Sequence, residues 1–417
     1  MNIKNRFQEA KGMYQELGVD VDEALANLDK FSISMHCWQG DDVIGFDRAG
    51  ALSGGIQATG NYPGRAKTPD QLMQDIDKVL SLVPGKHRIN LHASYAIFEE
   101  GEKVDRDKLE PKHFAKWVTF AKERGLGLDF NPTIFSHPKA EGLTLSSPDA
   151  SIRNFWIAHC KACIKISEYF STELNTHCLM NIWIPDGLKD IPGNRIEPRR
   201  RFKESLDEIL AMPYDKEKVF VCLESKVFGI GMESYTVGSS EFTINYAKEA
   251  GIIPLMDNGH YHPTEVVSDK LSSMLLFHDK VALHVTRAVR WDSDHVVLFD
   301  DETKEIAKEI VRNNALENVY VGLDFFDASI NRVSAWVVGM QNMQKAMLSA
   351  FLTPMDTLTK LQEENQFTKI MALQETLKTY PFMDIWNYFL DTHNIPTHFD
   401  WFKEIETYEA KVQLKRG

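Results

Sequence analysis

The sequence predicts an α/β protein: a closed (β/α)8 barrel of parallel strands, a TIM barrel, with an α-helical C-terminal extension. Three observations predict it. Eight short apolar runs alternate with longer amphipathic stretches as far as residue 330. Acidic and histidine side chains stand at the ends of those runs, where a barrel gathers its chemistry on one face. From residue 331 to 417 the pattern is helical throughout.

The candidate strands are 31–38, 88–94, 126–132, 178–185, 219–225, 252–258, 281–285 and 319–325, each a short apolar run. Helical patterns fill 69–82, 111–124, 151–174, 198–211, 239–250, 263–276 and 301–313. Pro198 suits a first helical turn, where a missing N–H costs nothing. A doubly wound open sheet is the alternative, but it needs a crossover point that the strand order does not reveal. Beyond residue 330, Met and aromatic residues recur at helical spacing in SAWVVGMQNMQKAMLSAFL and FMDIWNYFLDTH, which predicts packing against the barrel or a neighbouring subunit. There is no Gly/Ser-rich linker and no internal repeat. The organisation expected is a catalytic barrel with a short helical N-terminal segment over 1–330 and the extension over 331–417.

Composition limits the partners. The 417 residues are 43% hydrophobic, ample for a large core without disulfide or metal staples. A net charge of −13 disfavours general nucleic-acid binding, which needs clustered Lys and Arg. The run Arg199-Arg200-Arg201 reads as a solvated helix start. Cys37, Cys160, Cys163, Cys178 and Cys222 form no framework and are expected to be reduced thiols. The lone CxxC at Cys160 and Cys163 lies in a helical pattern and reads as packing. The amphipathic N-terminus lacks a signal-peptide apolar region, and no apolar run approaches the ~18–20 residues that span a bilayer. A cytoplasmic protein with a small-molecule substrate, and neither nucleic acid nor membrane as partner, is expected.

The strand ends carry the chemistry. Strand one ends in His36 and Trp38, before Asp41 and Asp42; strand two in His92. Strand three carries Asp129 and Asn131, and strand four Asn181 and Trp183, with Asp186 after. Strand five ends in Glu224, then Lys226. Strand six ends in Asp257, followed by His260 and His262. Strand seven holds His284, and its loop holds Arg287, Arg290, Trp291, Asp292 and Asp294. Strand eight ends in Asp324, with Asp327 close behind. A lone strand histidine is usually a hydrogen-bonded core residue, and Asp129 suits a turn cap. Four consecutive strands ending in Glu, Asp or His are different, because unpaired buried carboxylates are costly without a cation. Carboxylates with imidazoles suit Mn2+, Mg2+ or Co2+, and Zn2+ less selectively. The ligands exceed one ion's usual share, so one or two divalent ions are expected. Glu224, Asp257, His284 and Asp324 group around one; His260, Asp292 and Asp294 around the other, with His262 competing. Asp324 and Asp327 both remain open as the fourth ligand and as catalytic carboxylates. Lys226, two residues past Glu224, is placed either to bind a substrate oxygen or to pair with a carboxylate.

The stretches MHCWQGDDV, GGIQATGNYPG, LGLDFNP, NIWIPDG, ESKVFGIGMESYTVGS, HPTEVVSDK, RWDSDHVV and GLDFFDASINR resemble the signatures of the L-rhamnose isomerase family, from about residue 30 to 340 and less distinctively beyond. The resemblance implies a xylose-isomerase-like barrel, reversible conversion of L-rhamnose to L-rhamnulose in rhamnose breakdown, and a homotetramer. It implies manganese, with zinc or another divalent ion at a second site. It maps the catalytic metal ligands onto His260, Asp292 and Asp294, the structural ligands onto Glu224, Asp257, His284 and Asp324, and the substrate-contacting lysine onto Lys226.

For such a reaction two metals favour a hydride shift between C1 and C2 over an enediol route that needs a general base. Trp38, Trp183, Phe130 and Phe135 are expected to line the sugar, with His92 at a distal hydroxyl or in ring opening. The Gly-rich loop 53–63 is either a cover or a plain connection. Rival functions are a metal-dependent phosphodiesterase or endonuclease, an aldolase or epimerase using a metal enediolate, and a non-catalytic sugar-binding barrel. The first is disfavoured by the charge of −13 and the last by the number of candidate ligands.

Overall fold

Eight parallel strands close into a barrel in the computed structural model, which describes residues 2–38, 44–47, 60–102, 104–226, 234–287, 289 and 294–416. The strands are Ile33–His36, Arg88–His92, Gly127–Asn131, Cys178–Ile182, Val219–Glu224, Ile253–Asp257, Val281–Val285 and Val319–Leu323, called first to eighth below. Each pairs in parallel with its neighbours in chain order, and the first closes on the eighth. Every expected strand is present. Most are shorter than expected because their end residues leave the ladder for the loops.

Period-two alternation sorts the side chains. Residues such as Ile33, Ile89, Leu128, Met180, Val221, Met256, Leu283 and Val321 join the large core between the strands and the helices. Leu179, Cys222, Leu255 and Ala282 form a separate small cluster from the other face of their strands. The residue two positions on from each of these four is Asn181, Glu224, Asp257 or His284. The strand period therefore delivers one polar residue per strand to one end of the barrel. Phe130 falls on the opposite parity. It is fully buried and meets Phe114 and Phe170 edge-on, at 5.1 and 5.4 Å between centroids, so it packs under the helices and does not line the sugar site as expected.

Helices α1 (Ile3–Gln15) and α2 (Val21–Lys30) precede the barrel. Then α3 (Pro69–Leu80), α4 (Ala115–Arg124), α5 (Ala150–Leu174), α6 (Ile196–Leu210), α7 (Ser240–Ala250), α8 (Val267–Phe277) and α9 (Asp301–Arg312) alternate with the strands. Local signals set their ends. Thr68 caps α3 with Pro69 in its first turn, Asp149 caps α5, Asp300 caps α9, and Gly125 and Gly251 stop α4 and α7 in the left-handed conformation. The expected helix at 263–276 starts late, at Val267, because Glu265 N–H turns back onto the His262 carbonyl at 2.7 Å. The one expected at 111–124 opens as a 3-10 turn, Pro111–Phe114.

After the eighth strand, α10 (Arg332–Phe351) packs against α9, α2 and α3. The chain continues through α11 (Met355–Glu363), α12 (Phe367–Leu377), α13 (Phe382–Thr392) and α14 (Asp400–Lys411), with α13 lying on α1. We propose the division at residue 330 as an organisational one: the following segment completes the ring of helices through α10 and adds a layer beyond it. Among the described residues no helix is long and apolar enough to cross a membrane.

Inside the barrel Asp129 is held by Arg88 through two bonds, Nη2 to Oδ1 at 2.8 Å and Nε to Oδ2 at 2.9 Å. Ser34 Oγ–H (2.6 Å) and Leu179 N–H (2.9 Å) also donate to it. Asp129 is therefore an internal strut and caps no turn. Burial pushes its carboxyl up, but Arg88 outweighs burial and holds it below the ordinary value. Replacing Arg88 by Met leaves that carboxylate uncompensated, and urea unfolding is expected to read a loss of about 3–5 kcal/mol, partly restored in R88M/D129L. Because the folded-state pKa is depressed, the pair's contribution is present above about pH 4 and is lost as pH falls further.

Candidate metal centre

The fifth to eighth strands end side by side, and their last inward residues converge. Glu224, Asp257, His284 and Asp324 each offer a ligand atom within 4.8 Å of the other three. His284 Nδ1 lies 3.4 Å from both Glu224 Oε2 and Asp324 Oδ2. Yet among the described residues Asp257 Oδ2 and Asp324 Oδ1 are buried without a hydrogen-bond partner, and His284 Nδ1 makes no well-formed hydrogen bond. Such crowding without hydrogen bonds is unfavourable unless a cation neutralises it. Three carboxylates and one imidazole form the donor set of a hard or borderline divalent ion. These residues fit a metal.

The electrostatics agree. Burial pushes the Asp257 carboxyl up to about 7, with neighbouring carboxylates adding to the effect, so the protein alone disfavours full ionisation there. Burial also raises Glu224, but His284, His260 and the Asn181 amide outweigh it and leave it below its ordinary value. Asn181 Nδ2–H donates to Glu224 Oε2 at 2.5 Å. For His284, burial opposes the proton but Glu224 and Asp324 win, raising it well above the imidazole range. A divalent cation held there would replace that proton as the counter-charge.

Candidates for a second ion lie beside this cluster. His260 is buried; its Nδ1–H donates to the Ser225 carbonyl at 2.7 Å and sits 3.3 Å from Glu224 Oε1. With that proton placed, Nε2 carries the ring's lone pair. Asp294 stands against Asp257 across Gly259: a Cβ on Gly259 would lie 2.7 Å from Asp294 Oδ1 and 3.0 Å from Asp257 Oδ1. Asp292, Arg290, Trp291, Asp41 and Asp42 lie outside the described residues, as does most of 53–63. His262 is exposed and bonded to Thr264 Oγ1, away from the cluster. Asp327 Oδ1 accepts from Ser329 N–H at 3.1 Å and Oγ–H at 2.5 Å, so the geometry brings Asp324 into the cluster and leaves Asp327 in the following turn. Asp186 is consumed by Thr144 and Ser146.

The first four strands supply the other half of the mouth, and it is aromatic. Trp38 stacks 5.7 Å from Phe326 and meets His92 at 4.9 Å; His92 meets Phe135 at 5.7 Å, and Phe135 meets Trp183 at 5.8 Å. Trp38 Nε1–H is fixed on the Phe325 carbonyl at 3.1 Å. Lys226 ends the arc, buried, with Nζ 5.2 Å from the Trp183 ring centre. Burial holds His92 well below the ordinary imidazole range, so it is neutral. A cavity of about 1480 Å³ opens at the opposite mouth between Lys30, Lys122 and Tyr320 and reaches inward to His284, but the candidate ligands and the aromatic residues meet at the strand C-termini.

The L-rhamnose isomerase (RhaA) family model matches residues 1–416. The chain belongs to the L-rhamnose isomerase family. It is 54% identical over 416 residues to L-rhamnose isomerase of Listeria monocytogenes serotype 4a (strain HCC23), with 99% of each chain covered. The identity is 53% over 415 residues to that of Mannheimia succiniciproducens, again covering 99% of each. It is 51% over 417 residues to that of Salmonella gallinarum, covering 100% of this chain and 99% of the relative.

Sequence reading missed Phe326, Gly259 and the loop supports of Phe135. Of these only Gly259, two residues past Asp257, left a signal. Its N–H donates to Asp257 Oδ1 at 2.6 Å, and its missing side chain admits both carboxylates. Gly259→Ala is expected to lower Mn2+ affinity about 10–100-fold in folded protein, read by EPR titration of metal-stripped samples. Unchanged affinity would contradict this placement of the two carboxylates.

Proposed function

We propose that this member of the L-rhamnose isomerase family interconverts L-rhamnose and L-rhamnulose as a metal-dependent aldose–ketose isomerase. The observation that carries the reading is the buried Glu224, Asp257, His284 and Asp324 cluster at the barrel's chemical end, in a chain matched by that family over nearly its whole length. Those four residues would hold one divalent ion, with manganese as the resident metal. His260, Asp294 and Asp292 would hold a second, which zinc, cobalt or magnesium also suits. Bound there, the metal supplies Lewis-acid polarisation of a substrate carbonyl and acidifies an adjacent hydroxyl.

The chain's own residues bind and orient the sugar. Trp38, Phe135 and Trp183 give it apolar faces, and neutral His92, its Nδ1 engaged by Thr133 Oγ1 at 2.9 Å, offers Nε2 to a hydroxyl. Lys226 presents an ammonium on an aromatic bed, where low dielectric strengthens its hold on a substrate oxygen. Asp324, Asp292 and Asp327 are the carboxylates assigned to proton handling at the sugar oxygens, with Asp327 at the turn that leaves the eighth strand. The hydrogen on C2 passes to C1 within the substrate, so no base is required at carbon. A homotetramer fits the surface: α12 has no buried residue and leaves Phe367 and Met371 about 60% exposed.

Metal-stripped protein is expected to form no ketose from L-rhamnose until Mn2+ is added. Asp292→Asn is expected to lower the restored rate roughly 100-fold or more, since even outer-shell changes cost 10–100-fold. No ketose with any divalent ion, in folded protein, would refute the activity. With deuterium at C2, the label is expected in the ketose; wash-out into water would refute the hydride shift alone.

A further inference from the structure

Phe135 occupies the centre of the aromatic half, and the backbone that presents it is strained. Thr133 has φ 59° and Ser136 φ 51°, in the left-handed region that β-branched residues especially avoid. Such conformations persist where the surroundings over-determine them, often at functional sites. Here the surroundings are one buried cation. Arg106 Nη1–H donates to the carbonyls of Thr133 and Phe135, both at 2.5 Å, and Nε–H to Asp47 Oδ2 at 3.0 Å. Both side chains of the pair are buried, at 3% and 5% exposure.

Each partner is itself anchored. Phe46 and Asp47 N–H donate to the Ser94 carbonyl at 2.6 and 3.0 Å. They follow Gly45, at φ 66°, where a Cβ would fall 2.2 Å from that same oxygen. On the other side the His159 ring of α5 lies between the carbonyls of Arg106 and Pro132. Thr133 Oγ1 in turn lies 2.9 Å from His92 Nδ1. One guanidinium thus joins the loop after the first strand to the turn after the third, beneath two residues of the sugar-facing wall.

We propose that Arg106, with Asp47 as its counter-ion, is a positioning residue for sugar recognition: it locks the 132–136 turn so that Phe135, and through Thr133 His92, meet the substrate in fixed orientations. The claim rests on the reading of this mouth as the sugar site. The two carbonyls bond Nη1 and the carboxylate bonds Nε, two nitrogens held apart in one rigid plane, whereas lysine brings a single nitrogen on a flexible stem and is not an equivalent. Arg106→Lys keeps the charge opposite Asp47 and loses the fork. It is expected to raise KM for L-rhamnose about tenfold or more with kcat within about threefold, because it removes binding common to ground and transition states. Mn2+ affinity is expected to stay unchanged, and amide exchange to quicken at 132–136 and not in the barrel strands.

A lowered melting temperature with unchanged KM would make Arg106 merely structural and overturn the proposal, as would unchanged exchange at 132–136. Asp47→Asn, which preserves shape, is the second variant; a KM rise of about threefold is expected, and none would count against the pairing. Wild-type protein that exchanges as expected but neither binds nor isomerises L-rhamnose would sink the proposed function, while the exchange comparison still decides whether Arg106 holds the turn.

Discussion

Charge balance in a buried pocket governs this structure. Three carboxylates and an imidazole offer ligand atoms within 4.8 Å of one another where burial alone drives Asp257 toward its neutral form. His284 compensates in part, and Asn181 and the Gly259 N–H support two of the carboxylates. What remains suits a divalent ion. The barrel keeps the donors converged because each occupies the end of a different strand, fixed by ladder pairing on both sides. The candidate metal site is a consequence of strand register, since a one-residue slip would turn every candidate ligand into the outer core.

The same geometry divides the mouth in two. The fifth to eighth strands carry the candidate ligands, and the first to fourth carry Trp38, His92, Phe135 and Trp183. A polyol with one reducing end and apolar ring faces matches that division: oxygen atoms toward the metal half, carbon toward the aromatic half. Beneath both halves, Arg88 and Asp129 brace the barrel interior, so the rigidity needed for ligand placement comes from a layer that takes no part in the chemistry.

Much of this was legible in the sequence, for physical reasons. Alternation along the strands is strict, so a residue such as His284 within VALHV declares its face as well as its position. Glu224, Asp257 and Asp324 were legible because a carboxylate at the end of an apolar run is costly to bury unless a cation or a hydrogen-bond donor meets it there. Contacts between distant loops were not legible. Nothing near Arg106 indicates that it reaches the carbonyls of Thr133 and Phe135, and backbone strain at Thr133 leaves no compositional trace. Phe130 was misplaced because it sits one residue from two polar positions, and in a strand one residue is the opposite face. The late start of α8 depended on a turn at His262 that periodicity does not register.

The central claim is that Glu224, Asp257, His284 and Asp324 jointly bind a divalent ion. Anomalous diffraction at the manganese edge, from crystals of metal-stripped protein soaked in Mn2+, tests it most directly. The account predicts a strong anomalous peak enclosed by those four side chains. A peak elsewhere with none between them, or direct carboxylate–imidazole hydrogen bonds filling the pocket, would contradict it.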